Sequence, residues 1–145
     1  MRILAVDYGR VRLGLAVSDE EEILASPLPA LARTRRDVDA IARIVESHGA
    51  GRMVVGLPLS MDGTDGVMAQ EASAFAARLA ERIGLPVDLF DERWTSSEAE
   101  RAMIEGDLSR KKRRELRDGL AAVLILQAYL ARRRLGDLGS PSEAT

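Results

Sequence analysis

Two acidic residues follow apolar segments at positions where a carboxylate can do chemistry. Asp7 lies near the end of the apolar run Ile3–Tyr8, and Glu92 comes just after a second such run, Val87–Phe90. Runs of this kind are typical of buried strands. Ligands of open α/β sheets bind outside the carboxyl ends of the strands, so Asp7 and Glu92 are expected to converge there if these two strands are parallel neighbours.

Asp118 is a third candidate, on a predicted helix. It shares a helical face with two alanines and Ile125, and small residues allow a helix to approach a sheet closely. A carboxylate on the packing side of a helix needs a cation or a hydrogen-bond donor, because burial of an unpaired charge is costly. We therefore predict that Asp7, Glu92 and Asp118 form one catalytic, metal-binding cluster.

Each acid also has an ordinary structural interpretation, as a turn former or an ion-pair partner: Asp7 before Gly9, Glu92 with Arg93, and Asp118 with Arg114. These explain the acids singly, but not three acids meeting without a matching Lys or Arg on the strands. The chain has no cysteine and a single histidine, which leaves oxygen ligands and favours Mg²⁺ or Mn²⁺. Two such ions, about 3.5–4 Å apart, can support phosphodiester hydrolysis.

Basic residues are concentrated near the carboxyl terminus. Between Arg110 and Arg134 nine basic residues accompany two acidic ones, although the whole chain has a net charge of −2. This asymmetry predicts a face that binds the phosphates of nucleic acid, and a solvated charged helix is the alternative. The residues predicted to contact nucleic acid from this segment are Arg110, Lys111, Lys112, Arg113, Arg114 and Arg117.

Two further arginines flank the strand-end acids. Arg12 and Arg93 are candidates for contacts with the scissile phosphate or the backbone, because a planar guanidinium matches phosphate well. Ion pairing with nearby acids is an equally good interpretation of each. The loop glycines Gly56, Gly63 and Gly66 could approach a phosphate or simply form turns before a helix.

Composition limits the class of protein. The 145 residues are 46% hydrophobic and 30% charged, which suits one globular domain and excludes a disordered chain. We expect a single domain over residues 1–135 and a disordered tail over 136–145. No apolar run reaches the roughly 18–20 residues that span a bilayer, and the start does not resemble a signal peptide. A cytoplasmic location without a membrane partner is therefore expected.

The order of apolar runs and turn residues predicts the elements βββαβαβαα. The third strand is expected near Ile23–Ser26, stopped by Pro27 and Pro29. A capping box at Thr95 predicts one helix, and a last helix is expected from about Arg113 to Arg134. A meander followed by βαβ crossovers predicts an α/β fold, with a mixed five-stranded sheet of three antiparallel and two parallel strands and helices on both faces.

Four blocks of sequence resemble the YqgF family, also called RuvX-like proteins, described as Holliday-junction resolvases or pre-16S rRNA processing nucleases. The blocks occur in the same order over roughly residues 1–134: Asp7-Tyr8-Gly9 with Arg12 and Gly14, VGLPLSMDGTDG, DERWTSSEAE, and the helix with Asp118, Ala121-Ala122 and Leu126-Gln127. The resemblance implies a ribonuclease H-like fold and equates Asp7, Glu92 and Asp118 with the family's metal-binding carboxylates. Ser60 departs from the Asn expected in the second block.

The leading hypothesis is a metal-dependent endonuclease acting on structured nucleic acid, either in 5′-end processing of pre-16S rRNA or in Holliday junction resolution. Junction resolution requires a symmetric dimer, and the sequence leaves open a monomer or a homodimer. One alternative is a non-catalytic nucleic-acid-binding factor of ribosome maturation. Another is an ATP-using enzyme of the actin-like group. Such enzymes normally need a second domain to enclose the nucleotide, and a chain of 145 residues has no room for it.

Overall fold

A computed structural model describes residues 1–57, 66–91 and 110–136, with the backbone alone over 110–118. The elements in these ranges are the strands β1 (Arg2–Asp7), β2 (Arg12–Ser18), β3 (Ala25–Ala32), β4 (Ala50–Leu57) and β5 (Val87–Asp91) and the helices α1 (Asp37–His48), α2 (Gly66–Ile83) and α3 (Arg110–Leu135). The helix predicted at Thr95 lies outside the described residues, as does the predicted tail beyond Gly136.

The strands form one mixed sheet in the order β3-β2-β1-β4-β5. β1, β2 and β3 pair antiparallel in sequence, whereas β4 is parallel to both β1 and β5. The predicted meander followed by two parallel strands is therefore confirmed. The condition that β1 and β5 be neighbours is wrong, because β4 lies between them. Asp7 and the end of β5 still share the carboxyl edge of the sheet, the edge at which the parallel strands end.

β3 differs from its prediction. It runs from Ala25 to Ala32 through both Pro27 and Pro29, which were expected to stop it. β3 is the last strand on its side of the described sheet, where a residue without an N–H is tolerated if its nitrogen faces away from the partner strand. The pairing of β3 with β2 is also irregular at Pro29, where the register shifts between Leu13 and Leu15, and bulges are a second place where strands tolerate proline.

Helix α1 ends as the sequence predicts. Gly49 adopts a left-handed conformation with φ 66°, and its N–H bonds to the carbonyl oxygens of Glu46 and Val45. Nδ1 of His48 lies 3.0 Å from the Ile44 carbonyl oxygen, to which it donates when protonated. The single histidine therefore makes a hydrogen bond at the carboxyl terminus of this helix.

Both faces of the sheet are covered. Leu4 and Val6 of β1 join a core with α1 and α2, whereas Ile3 and Ala5 join a second core with α3. All four side chains are fully buried, which explains why this central strand has an uninterrupted apolar sequence. Helices on both faces are confirmed. None of the described helices has the length and hydropathy to cross a membrane.

Polar contacts attach the carboxyl-terminal half of α3 to the far edge of the sheet, where the parallel strands begin. Arg52 Nη1 donates to Asp88 Oδ2 at 3.0 Å, and the Tyr129 hydroxyl donates to the same oxygen. Arg133 Nε donates to Glu22 Oε1 at 2.8 Å. These bonds fix the position of α3 along the sheet, and hence the level at which its amino-terminal half meets the carboxyl edge.

Ionisation of Tyr129 is expected to destabilise the folded protein at alkaline pH. Its side chain is buried, and burial together with the hydrogen bond to Asp88 raises the pKa from 10.0 to about 12. The folded state holds the phenol proton more tightly than the unfolded state. The resulting stability is fully present below pH 10 and is lost as the pH rises from 10 towards 12.

We expect wild type to lose about 2 kcal/mol more free energy of unfolding than Tyr129→Phe between pH 9.5 and 11.5. Urea unfolding at several pH values measures this difference. Subtracting the two curves cancels the titration of the lysines and of Tyr8, which both proteins share. Parallel pH profiles for the two proteins would show that the phenol proton does not contribute.

Candidate active site

Asp7 ends the central strand β1 at the carboxyl edge of the sheet. Because Ile3 and Ala5 pack beneath α3, the alternation of the strand places the Asp7 side chain on that same face. Its cross-strand neighbours are Gly14 on β2 and Gly56 on β4. Neither neighbour has a side chain, so the adjacent strands leave lateral room around the carboxylate for a cation and a phosphate.

Helix α3 approaches the sheet closely at Gly119. A Cβ built on Gly119 would lie 2.9 Å from the Cβ of Pro27 and 3.3 Å from the carbonyl oxygen of Leu15. Carbon atoms in contact prefer about 3.5–4.0 Å, so the helix backbone can approach this closely only without a side chain. Leu15 pairs with Val6, the residue before Asp7. The backbone at Asp118–Gly119 is thus on the Asp7 face, near the level of Asp7 along the strands.

The three predicted carboxylates are described to different extents. Asp7 is described fully, Asp118 by its backbone, and Glu92 lies outside the described residues, directly after the end of β5. Phe90 is opposite Gly56, so β5 reaches the level of Asp7 along the sheet. Within the described residues, no three acidic or histidine side chains gather as a metal site. The cluster of Asp7, Glu92 and Asp118 stays a prediction.

The predicted phosphate-binding residues divide in the same way. Arg12 begins β2, which is antiparallel to β1, so this exposed residue lies at the same edge as Asp7. Arg93 lies outside the described residues. The basic segment, residues 110–117, forms the first turns of α3 and is described by its backbone alone. Arg133 and Arg134 instead bond to Glu22 at the far edge, which favours a structural role for them.

A polar group on the other face of the carboxyl edge was not predicted. Tyr8 alternates with Asp7 and packs with α2, where its hydroxyl donates to Glu71 at 3.3 Å. Arg10 donates to both oxygens of Glu71, through Nε and Nη2, at 3.1 Å each. These Arg10 bonds hold the pKa of the Glu71 carboxyl below its usual value. Tyr8 and Glu71 are 63 positions apart, and no spacing rule relates them.

Arg33 completes this group by attaching the turn after β1 to α1. Its guanidinium carbon lies 4.8 Å from the ring centroid of Tyr8 and 4.9 Å from that of Phe75. Its Nε donates to Asp37 Oδ2 and its Nη1 donates to the carbonyl oxygen of Gly9, both at 2.8 Å. Contacts with two aromatic rings and hydrogen bonds from two nitrogens restrict the orientation of the Arg33 side chain.

Comparison with known proteins places this architecture in a family. The model of the family described as "RuvX: Holliday junction resolvase" matches residues 1–132. The chain belongs to the RuvX family. A relative from Pelotomaculum thermopropionicum is 45% identical over 133 residues, which cover 90% of this chain and 86% of that protein. One from Koribacter versatilis is 48% identical over 134 residues, covering 91% and 88%. Both carry the name "Putative pre-16S rRNA nuclease".

Solved structures show how the RuvX chain folds. RuvC of Thermus thermophilus has a TM-score of 0.61 at 15% identity, covering 94% of this chain and 97% of RuvC. The resolvase of fowlpox virus has a TM-score of 0.52 at 13% identity, covering 90% and 99%. At such identities the likeness establishes the fold alone, and the predicted ribonuclease H-like architecture is confirmed. The resemblance to the family is confirmed as well, and the family and its named relatives support a nuclease.

Proposed function

We propose that this RuvX protein is an endonuclease that cuts phosphodiester bonds in structured nucleic acid, with Mg²⁺ or Mn²⁺ held by Asp7, Glu92 and Asp118. The observation that carries the proposal is the placement of Asp7. It ends the central strand between Gly14 and Gly56, on the face that α3 approaches. Because neither cross-strand neighbour has a side chain, the adjacent strands leave room beside the carboxylate for a ligand that enters from solvent.

The available donors fit these ions. Carboxylate oxygens are the ligands that Mg²⁺ and Mn²⁺ prefer, the chain has no cysteine, and its single histidine is engaged at the end of α1. Phe90 lies on the Asp7 face of the sheet, and Glu92 is two residues later in the sequence. Strands β1 and β5 are two spacings apart, about 10 Å, which Asp and the longer Glu can bridge around a pair of cations.

The residues of the chain would then divide the work. Bound Mg²⁺ or Mn²⁺ supplies activation of the attacking water and stabilisation of the leaving oxygen. Asp7 fixes the position of the reacting phosphate relative to the central strand. Arg12, exposed at the same edge, donates to a phosphate oxygen, and the basic segment holds the backbone of the nucleic acid beyond the cut.

This surface and the names of the relatives support a choice between two substrate classes. The family description names Holliday junctions, the curated relatives are named for pre-16S rRNA, and one solved RuvC structure holds a Holliday junction substrate. We propose that the physiological substrate is one of these two, each a structured phosphate backbone. Cutting a four-way junction would require two copies of the chain related by symmetry, whereas trimming a precursor rRNA end requires one.

A cleavage panel tests the proposal. Wild-type protein is incubated with Mn²⁺ or Mg²⁺ and a four-way DNA junction, duplex DNA, single-stranded RNA or a precursor 16S rRNA leader, and each arm is repeated with a chelator. We expect endonucleolytic products from the junction or the leader, in the metal arms only. Cleavage that survives the chelator would contradict the metal role. Tight, salt-sensitive binding without cleavage in every arm would favour the binding factor of ribosome maturation instead.

A further inference from the structure

A second basic surface lies directly behind the proposed site. A shallow pocket of about 380 Å³ at the carboxyl edge is lined by Tyr8, Arg10, Arg33, Thr34, Arg35 and Asp37. Tyr8 directly follows Asp7, the last residue of β1, and packs in the core with α1 and α2, on the face opposite to α3. Asp7 of the proposed cleavage site and Tyr8 of the pocket are therefore consecutive in the sequence, on opposite sides of the same edge.

The floor of this pocket is held rigid. The Arg33 guanidinium contacts the rings of Tyr8 and Phe75 and is bonded to the buried Asp37, and its side chain is only 19% exposed. Arg10 uses Nε and Nη2 on Glu71, and its Nη1 takes no part in that pair. A guanidinium held by one carboxylate can still donate to a phosphate from its remaining nitrogen, at little further entropic cost.

The turn beside the pocket carries unmatched positive charge: Arg35 lines the pocket, and Arg36 is the next residue in the chain. Arg35 and Arg36 are exposed, and no carboxylate of the described residues lies within ion-pair distance of either. Thr34 Oγ1 accepts the backbone N–H of Arg36 at 3.1 Å, which fixes the turn that bears both arginines. Because Arg10 and Arg33 are each matched by an acid, Arg35 and Arg36 supply the surplus charge.

We propose that Arg10, Arg35 and Arg36 bind the phosphodiester backbone of the nucleic acid on the side of the edge opposite to the basic segment of α3. The relation of this contact to cleavage rests on the proposed function. A backbone that passes Asp7 from the α3 face and continues over the edge reaches the turn containing Gly9 and Arg10. Two basic surfaces flanking one cutting site suit a branched or folded substrate, which leaves the site in more than one direction.

Binding measurements test this surface without requiring cleavage. The variants are Arg35→Ala, Arg36→Ala and their combination, all in the Asp7→Asn background so that the substrate stays intact. Fluorescence anisotropy with the labelled junction and the labelled leader gives Kd from about 50 to 200 mM KCl. We expect each single change to raise Kd about three- to fivefold, the double change to raise it about tenfold or more, and each lost contact to reduce the slope of log K against log[salt] by about 0.9.

Arg43→Ala is the matched control, because Arg43 is exposed on α1 outside the pocket and loses the same charge. Its Kd should stay within about twofold of the parent protein, since an isolated surface charge contributes little. The proposal is overturned if Arg35→Ala and Arg36→Ala behave like Arg43→Ala. It is also overturned if AMP or inorganic phosphate, tested at micromolar concentration, displaces the nucleic acid from the parent protein but not from the double variant, because the pocket would then hold a small ligand. A wild-type protein that binds through these arginines and cuts nothing would contradict the proposed function alone.

Discussion

We expect Asp7→Asn to lower the rate of the proposed metal-dependent cleavage by about a thousandfold or more, to the background of the assay. The neutral amide cannot provide the anionic oxygen that a divalent cation requires, and its nitrogen presents a donor where a ligand is needed. The two side chains have nearly the same shape, and both cross-strand neighbours are glycines, so the change creates no steric conflict. Single-turnover cleavage of the best substrate from the panel, with Mn²⁺ in excess, measures the effect.

Two controls show whether the loss is chemical. Asp39→Asn makes the same substitution on the surface of α1, where the carboxylate pairs with Arg82 and is 47% exposed. It should leave cleavage unchanged, because an exposed ion pair contributes little to stability. The Asp7→Asn protein should also bind the uncut substrate as wild type does, in buffer without divalent ions. Cleavage by Asp7→Asn at the wild-type rate would remove Asp7 from the mechanism, and with it the proposed function.

Asp7 could be found from sequence because its setting is local. An apolar run that ends in a carboxylate and a glycine marks the end of a buried strand, and alternation within the run assigns the face. The order of the strands in the sheet was harder to predict from the sequence. The sequence predicts that β4 and β5 are parallel, but only the sheet shows that β4 separates β1 from β5. Likewise, Pro27 and Pro29 stop a strand in general and are tolerated here because β3 lies at an edge.

The arginine pocket was hidden for a different reason. It brings together Tyr8 after β1 and Arg33 after β3, and Glu71 of α2 holds Arg10 beside them, although Tyr8, Arg33 and Glu71 are far apart in the sequence. Each has a plausible surface role when taken alone. The basic segment of α3 was visible because its charges are consecutive, whereas the pocket collects its charges through tertiary contacts. Consecutive charge is detectable in a sequence, and charge assembled by folding is not.

Gly119 shows the limit most clearly. In the sequence it is a glycine inside a helix, which weakens a helix by about 0.8–1.0 kcal/mol relative to alanine. Helix propensity alone therefore predicts that Gly119→Ala stabilises the protein. The structure predicts the opposite, because the added Cβ would meet the ring of Pro27 at 2.9 Å and the backbone oxygen of Leu15 at 3.3 Å. Neither atom belongs to a flexible side chain that could turn away, so the helix must move.

We expect Gly119→Ala to shift α3 outward beside Asp118, to lower cleavage about ten- to a hundredfold, and to raise the Mn²⁺ concentration needed for half-maximal rate. The free energy of unfolding should fall by about 1 kcal/mol, the overpacking cost less the gain in helix propensity. Urea unfolding and a Mn²⁺ titration of single-turnover cleavage separate the two effects. A purely structural role would lower stability without changing the metal requirement.

Gln127→Ala is the control on the same helix, since Gln127 is exposed and an alanine there meets nothing new. Its cleavage rate and Mn²⁺ requirement should match wild type. If Gly119→Ala instead cleaves as wild type does and unfolds at higher urea, then α3 need not approach β2 and β3 so closely, and the place of Asp118 among the metal ligands would lose its structural support. A raised Mn²⁺ requirement in Gly119→Ala, but not in Gln127→Ala, would show that metal binding depends on the close approach of α3 to the sheet. Gly119 allows that approach because it is the one residue of α3 without a side chain.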